Sequence, residues 1–220
     1  MRVEHMVESA TSTNKFNRLV VFGCSHTLGQ HLPGWSQWWE DQGYDKVKIY
    51  REQLSDLNWP SVLAHKLGIT DLLNLASGGN SNHEIMARVL SFEFKPDDLC
   101  IICWSYAGRE FIYQEHGGVA RTMDLLDVLN DSRFYEVHSQ FDLEMKSREY
   151  VYLTYLHLER NSVNYKMAKI EKWESVSDFW VRYEHDDLLT FDMLDYALDH
   201  SHPGVESHKV FANKIYDTIK

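Results

Sequence analysis

The stretch RLVVFGCSHTLG, running from Arg18 to Gly29, decides the fold. Leu19, Val20, Val21 and Phe22 form a short run of β-branched and aromatic side chains, which suits a strand covered on both faces. The run stops at Gly23, and small or polar residues follow at once in Cys24, Ser25, His26 and Thr27. A hydroxyl placed where a buried strand ends stands at the sheet edge, where α/β proteins build their sites. Ser25 is therefore the first candidate functional residue. Taken alone, the pattern also describes an ordinary strand and turn, and the far end of the chain separates the two readings.

Working outward, WPSVLAHKLG predicts a helix with Pro60 in its first turn and Gly68 as its terminator. ITDLLNLA predicts a second strand. SGGNSNHEIMARVLSFEF predicts a small-residue turn leading into an amphipathic helix, with Ile85, Ala87, Val89 and Leu90 among its apolar positions. DDLCIICWSY predicts a third, central strand. A long middle follows, with a helix through DLEMKSREYVYLTYLHLERN, a strand at NYKMAKI and a closing helix in which Val210, Ile215 and Ile219 face inward. Strands separated by helices imply right-handed βαβ units and a mainly parallel sheet with helices on both faces. Ser25, the Gly78-Gly79 turn and Ser105 then gather at the carboxyl ends of three strands.

The chain has 220 residues, enough for one domain with a substantial core. Residues 1–17 read as a loosely ordered leader and 18–220 as a single domain. No apolar run approaches the roughly 18 to 20 residues that span a bilayer, so no membrane insertion is expected. The N-terminus lacks the apolar centre of a signal peptide, which gives a cytoplasmic expectation. A formal net charge of −11 argues against nucleic acid as a partner. Cys100 and Cys103 have CxxC spacing, but residues three apart on a strand point to opposite faces, so buried structural thiols are expected.

Near the C-terminus stands LDHSHPG. In a loop before the last helix, Asp199 can accept a hydrogen bond from one ring nitrogen of His202, leaving the other to face a nucleophile. A hydroxyl is a poor nucleophile until a neighbouring base takes its proton. Ser25, His202 and Asp199 supply the hydroxyl, the base and the orienting charge. The Ser25 N–H, and the Gly79 N–H of NLASGGNSN, are candidate donors to the oxyanion of a tetrahedral intermediate.

These motifs resemble those of the SGNH (GDSL-type) hydrolases. The family's first block, Gly-Asp-Ser-x-Thr, is matched by Gly23-Cys24-Ser25-His26-Thr27 except at Cys24. Its second is matched by NLASGGNSN, with Gly79 at the oxyanion-hole glycine. Its last, Asp-x-x-His-Pro, is matched in full by Asp199, His202 and Pro203. The resemblance implies a flavodoxin-like α/β/α three-layer sandwich with a mainly parallel, roughly five-stranded sheet, and a serine esterase that needs no cofactor. The first block is also similar to that of small bacteriophage-encoded members, which implies a viral particle as a second location. The third block departs from the family: where Gly-x-Asn-Asp is expected, this chain has CWSYAGREF. Ser105 falls nearest the oxyanion-hole Asn, with Arg109 and Asn82 as further candidates.

Trp35 and Trp38 are candidate platforms for a sugar ring or acyl chain, or parts of a flap over the core. Among the twelve histidines, His200, His202 and His208 lie close in sequence, but no set of three or four ligands with zinc spacing recurs, and no metal is expected. The expected reaction is hydrolysis of an ester, an O-acyl group on a carbohydrate or small lipid. The missing third-block Asn favours the alternative, a binding or structural module that keeps the fold without efficient chemistry.

Overall fold

A computed structural model describes residues 15–33, 55–107, 109–112, 121–123, 139–170 and 188–219. Their elements in chain order are β1 (Arg18–Phe22), α1 (Ser25–Leu28), α2 (Trp59–Leu67), β2 (Asp71–Asn74), α3 (Asn82–Leu90), β3 (Asp98–Trp104), β4 (Glu110–Ile112), β5 (Arg121–Met123), α4 (Gln140–Arg160), β6 (Asn164–Lys169), β7 (Leu189–Thr190) and α5 (Val205–Asp217). Trp35, Trp38 and residues 1–14 lie outside the described residues.

Five strands pair in the order β2-β1-β3-β6-β7, and every pairing is parallel. β1 lies between β2 and β3, with Leu19 opposite Leu72 on one side and Leu99 on the other. The alternation of side chains across the strands splits the interior into two layers. On one face Leu19, Val21, Leu99, Ile101 and Cys103 pack with Trp59 and Leu63 of α2 and with Phe211, Ala212 and Ile215 of α5. On the other, Val20, Phe22, Cys100, Ile102 and Trp104 pack with Ile85, Met86 and Val89 of α3 and with Val151 and Leu158 of α4. The result is the α/β/α sandwich expected. Cys100 and Cys103 fall in opposite layers, both buried and free, and burial pushes both thiols up.

The helix boundaries follow from their caps. Asn58 accepts from the Ser61 N–H at 2.8 Å and opens α2, and Gly68 closes it in the left-handed conformation. Ser81 and Glu84 form a capping box on α3. At the amino edge of the sheet, Arg18 donates from Nε and Nη2 to the buried Asp98 carboxylate at 2.7 and 2.6 Å, fixing β1 against β3.

Three features differ from the reading of the sequence. Val210 is half-buried and outside the packed core; the inward residues of α5 are Ser207, His208, Phe211, Ala212 and Ile215. The fifth strand is β7, only two residues long, and the middle segment contributes an antiparallel β4-β5 ribbon. Phe16 is buried and Asn17 donates to Asp97 through both its backbone and its side chain, so these two residues of the segment read as a leader pack against the domain. No helix among the described residues is long and apolar enough to cross a membrane.

Gly23 sits where β1 turns into α1. A Cβ there would lie 2.6 Å from Thr27 Cβ and closer still to its hydroxyl, and Thr27 is itself fully buried. Gly23→Ala is therefore expected to lower stability by about 1–3 kcal/mol through overpacking, measured as the urea midpoint. An unchanged midpoint would show that Thr27 can retreat.

Candidate active site at the carboxyl edge of the sheet

The turn after β1 delivers Ser25 as the first residue of a single helical turn. Thr27 N–H and Leu28 N–H both donate to the Cys24 carbonyl at 3.0 Å, and Gly29 N–H donates to that of Ser25 at 3.0 Å. The loop after β2 is tied to the same turn, because the Gly23 carbonyl accepts from the Ser77 N–H at 3.2 Å and from Asn80 Nδ2 at 2.9 Å. Gly79 lies in that loop at a φ of +77°, which glycine adopts without strain. Among the described residues, no hydrogen bond uses the N–H of Ser25 or of Gly79.

Asp199 and His202 come from a narrow loop whose stem is closed by the Ala197 N–H donating to His202 O at 2.8 Å and the Gly204 N–H donating to Asp195 O at 2.9 Å. Asp195 anchors the stem to α5 by accepting from the Ser207 and Glu206 N–H groups at 2.8 and 3.0 Å. At the tip, His202 Nδ1 lies 2.5 Å from Asp199 Oδ2. Burial alone would raise the Asp199 carboxyl. Hydrogen bonds from the Ser201 hydroxyl, the His202 ring and the backbone N–H groups of both residues outweigh it and hold the carboxyl well below the usual range. An ionised carboxylate only accepts, so in the neutral imidazole the proton sits on Nδ1 and Nε2 keeps the lone pair.

His26 links the two loops. Its buried ring packs edge-on against His202 at 5.6 Å between centroids, and also against Tyr106 and Phe191. Burial, reinforced by His202 and Arg109, lowers its pKa to about 3, so it stays neutral. Ser25 itself is buried, and among the described residues its hydroxyl makes no hydrogen bond, to His202 or to any other group.

Ser105 is fully enclosed: its N–H donates to Asn82 Oδ1 at 2.7 Å, its carbonyl accepts from Asn82 Nδ2 at 3.2 Å, and its hydroxyl accepts from Arg109 Nη1 at 3.2 Å. Asn82 Nδ2 also donates to Ser147 Oγ at 3.0 Å. Both amide protons of Asn82 are thus taken by protein acceptors, which makes it a clamp on the third loop rather than a donor to substrate. Arg109 is half-buried, with its guanidinium over the Tyr106 ring.

Three residues of the site were not singled out from the sequence. His26 is adjacent to Ser25 in CSHT, and Asn80 is in the GGNSN turn, so both were in view without a role. His31 was not: its ring is 5.3 Å from that of His202 and its Nε2 is 3.7 Å from Asp199 Oδ2, a contact between opposite ends of the chain. His200 and His208, grouped with His202 by spacing, part company with it. His200 is exposed, and His208 is buried on the inner face of α5 with its Nδ1 accepting from the Trp59 N–H at 3.0 Å.

A five-stranded parallel sheet flanked by helices on both faces is an α/β three-layer fold like that of the SGNH (GDSL-type) hydrolases. No protein-family model matches the sequence, and no curated protein matches it; the likeness is one of structure. The chain is similar to a carbohydrate esterase whose active site displays divergent catalytic and non-catalytic binding functions, with a TM-score of 0.56 at 11% identity over 96% of this chain and 70% of that one. It is similar to a carbohydrate esterase family 2 enzyme with a carbohydrate-binding domain from Corynascus thermopiles (Myceliophthora fergusii), with a TM-score of 0.53 at 11% identity over 92% of this chain and 65% of that one. A member of the lipolytic G-D-S-L family from Veillonella parvula aligns with a TM-score of 0.45 at 10% identity, over 91% of this chain and 96% of that one.

Proposed function

We propose that the protein is a serine esterase that removes an O-acyl group from a carbohydrate or small lipid. The observation that carries this reading is the ionised Asp199 held on His202 Nδ1, in a loop packed through His26 against the turn that bears Ser25. Ser25 Oγ attacks the ester carbonyl while His202 Nε2 takes its proton. The protonated imidazole, stabilised by Asp199, then returns that proton to the departing alcohol, leaving an acyl group on Ser25. Water, deprotonated by the same nitrogen, releases the acid.

The negative oxygen of each tetrahedral intermediate is received by the N–H groups of Ser25 and Gly79, each such donor being worth about 10²- to 10³-fold in rate. Arg109, donating to the Ser105 hydroxyl, contributes positive charge on the side where the family places its Asn. Tyr196 and Leu198 are exposed on the loop that carries Asp199 and supply an aromatic and apolar rim for the sugar or acyl portion. Two of the structural neighbours are carbohydrate esterases, which supports a sugar-borne ester as the substrate class.

A fluorophosphonate probe tests the nucleophile. The probe should attach to Ser25, located by peptide mass, and His202→Ala should slow labelling strongly. The absence of labelling would favour the binding module, a role to which the unbonded Ser25 hydroxyl and the enclosed Ser105 also lend themselves.

A further inference from the structure

His31 is not needed by a Ser-His-Asp mechanism, yet it stands at the carboxylate of the triad. Its Nε2 is 3.7 Å from Asp199 Oδ2, and one ligand atom from each of His31, Asp199 and His202 lies within 4.8 Å of the other two. All three side chains are half-buried, so an ion can reach them from solvent. The set is also fixed from below. His31 occupies the left-handed region at a φ of +62°, and its carbonyl accepts from the Leu198 N–H, joining the segment after α1 to the loop that carries Asp199.

We propose that His31, Asp199 and His202 form a binding site for one Zn²⁺ ion, which switches the esterase off. Two imidazoles and a carboxylate, with water in the fourth position, are a known tetrahedral donor set for zinc. Bonds of about 2.0–2.1 Å place such ligands about 3.3 Å apart, so His31 closes slightly on Asp199 from 3.7 Å, and His202 Nδ1, at 2.5 Å from the same oxygen, either swings outward to admit the ion or yields its place to Nε2. Mg²⁺ and Ca²⁺ require mostly oxygen ligands and do not fit. The hydroxyl of Ser201, which donates to Asp199, provides the outer support that orients a ligating carboxylate.

Closing the set moves the ion into the place of the proton between His202 Nδ1 and Asp199. A neutral imidazole has one N–H, so ligation through Nδ1 transfers that proton by way of solvent to Nε2, where no lone pair remains for the Ser25 proton. Ligation through Nε2 blocks the same lone pair directly. Either mode removes the base. Metal binding stands on the His31–Asp199–His202 geometry alone, whereas the inhibition rests on the esterase reading.

Calorimetric titration of the whole chain with zinc chloride in a non-chelating buffer, without substrate, tests the site. The wild-type chain should bind one ion, and His31→Asn should bind it at least roughly tenfold more weakly; asparagine tolerates the positive φ at this position. Asp199→Asn, required to keep the wild-type melting temperature, should lose affinity similarly. Equal zinc affinity in wild type and both variants, or Mg²⁺ binding as tightly as Zn²⁺, would overturn the proposal, since the chain has other histidines able to hold zinc at the surface. The kinetic arm is separate. Zinc should suppress p-nitrophenyl acetate hydrolysis reversibly, with EDTA restoring it, and His31→Asn should need a correspondingly higher zinc concentration relative to its own zinc-free rate. Variant-dependent binding in a chain without esterase activity would sustain the metal site and sink the esterase reading.

Discussion

Ser25→Ala is expected to lower the rate of p-nitrophenyl acetate hydrolysis by roughly 10⁴- to 10⁶-fold while leaving the melting temperature nearly unchanged. The rate loss follows from removing the atom that forms the acyl bond. What remains is the contribution of binding and the oxyanion donors, on the order of 10³- to 10⁴-fold over water. The stability expectation has a separate origin. The Ser25 hydroxyl makes no hydrogen bond among the described residues, and the turn around it is held by backbone bonds to the Cys24 and Ser25 carbonyls, which alanine preserves. A dead but fully folded variant is thus a stringent result. Asp199→Ala should cost less, roughly 10⁴-fold, because it removes orientation and charge but not a reacting atom. The Ser25→Ala, Asp199→Ala double variant should be no slower than Ser25→Ala, because the triad acts as a unit. Comparable rates in wild type and Ser25→Ala would leave the fold without this chemistry.

The parts of the structure legible in the sequence are those where one physical requirement dominates. β1 and β3 are buried on both faces, so nothing but apolar residues fits, and the runs Leu19–Phe22 and Leu99–Trp104 announce themselves. The Asp199-x-x-His202 pair is legible because its partners are three residues apart and meet within their own loop. β7 is not, since its two residues are half-buried and gain their conformation from pairing with Ala168 and Lys169. Hydropathy misjudged α5. Val210 reads as core, yet His208 takes the interior position because its Nδ1 satisfies a helix N–H that would otherwise be unpaired. The hold of the Asn82 amide on the backbone of Ser105 is hidden for a related reason, since no local pattern reveals a contact across 23 residues. His31 is the extreme case, joined to the site only by tertiary structure.

The buried histidines are expected to make stability fall in acid, and the effect should be large. His208 is fully buried, edge-on to Phe191, and burial lowers its pKa from 6.5 to about 3, against the opposing pull of Asp195. Its Nδ1 accepts from the Trp59 N–H, so protonation would both charge the core and abolish that bond. His26 is lowered to about 3 as well, by burial first and by His202 and Arg109 next. In both cases the folded pKa lies below the unfolded one, so the unfolded chain binds protons that the folded chain refuses. Stability is then complete above about pH 6.5 and falls as the pH drops from there towards 3. At about 1.4 kcal/mol per pH unit, the interval from 6.5 to 4 costs about 3 kcal/mol for each histidine. Domains of this kind are stable by about 5–15 kcal/mol in all. The depressed carboxyls of Asp195 and Asp199 act in the same direction at still lower pH, losing their contribution as each is protonated.

Urea midpoints taken from pH 8 to pH 4 should therefore be nearly level down to about 7 and fall steeply below 6. His208→Asn provides the control. Its side-chain oxygen can accept from the Trp59 N–H in the place of Nδ1 and does not titrate, so the acid slope should fall by about half, while the smaller side chain lowers stability at pH 8. His208 joins α2 to α5, and Asp195 pins the loop bearing Asp199 and His202 to α5, so the acid loss of stability bears on the elements that carry the site. Midpoints that are level from pH 7.5 to 4.5 in the wild-type protein would mean that these imidazoles are not held neutral in the core.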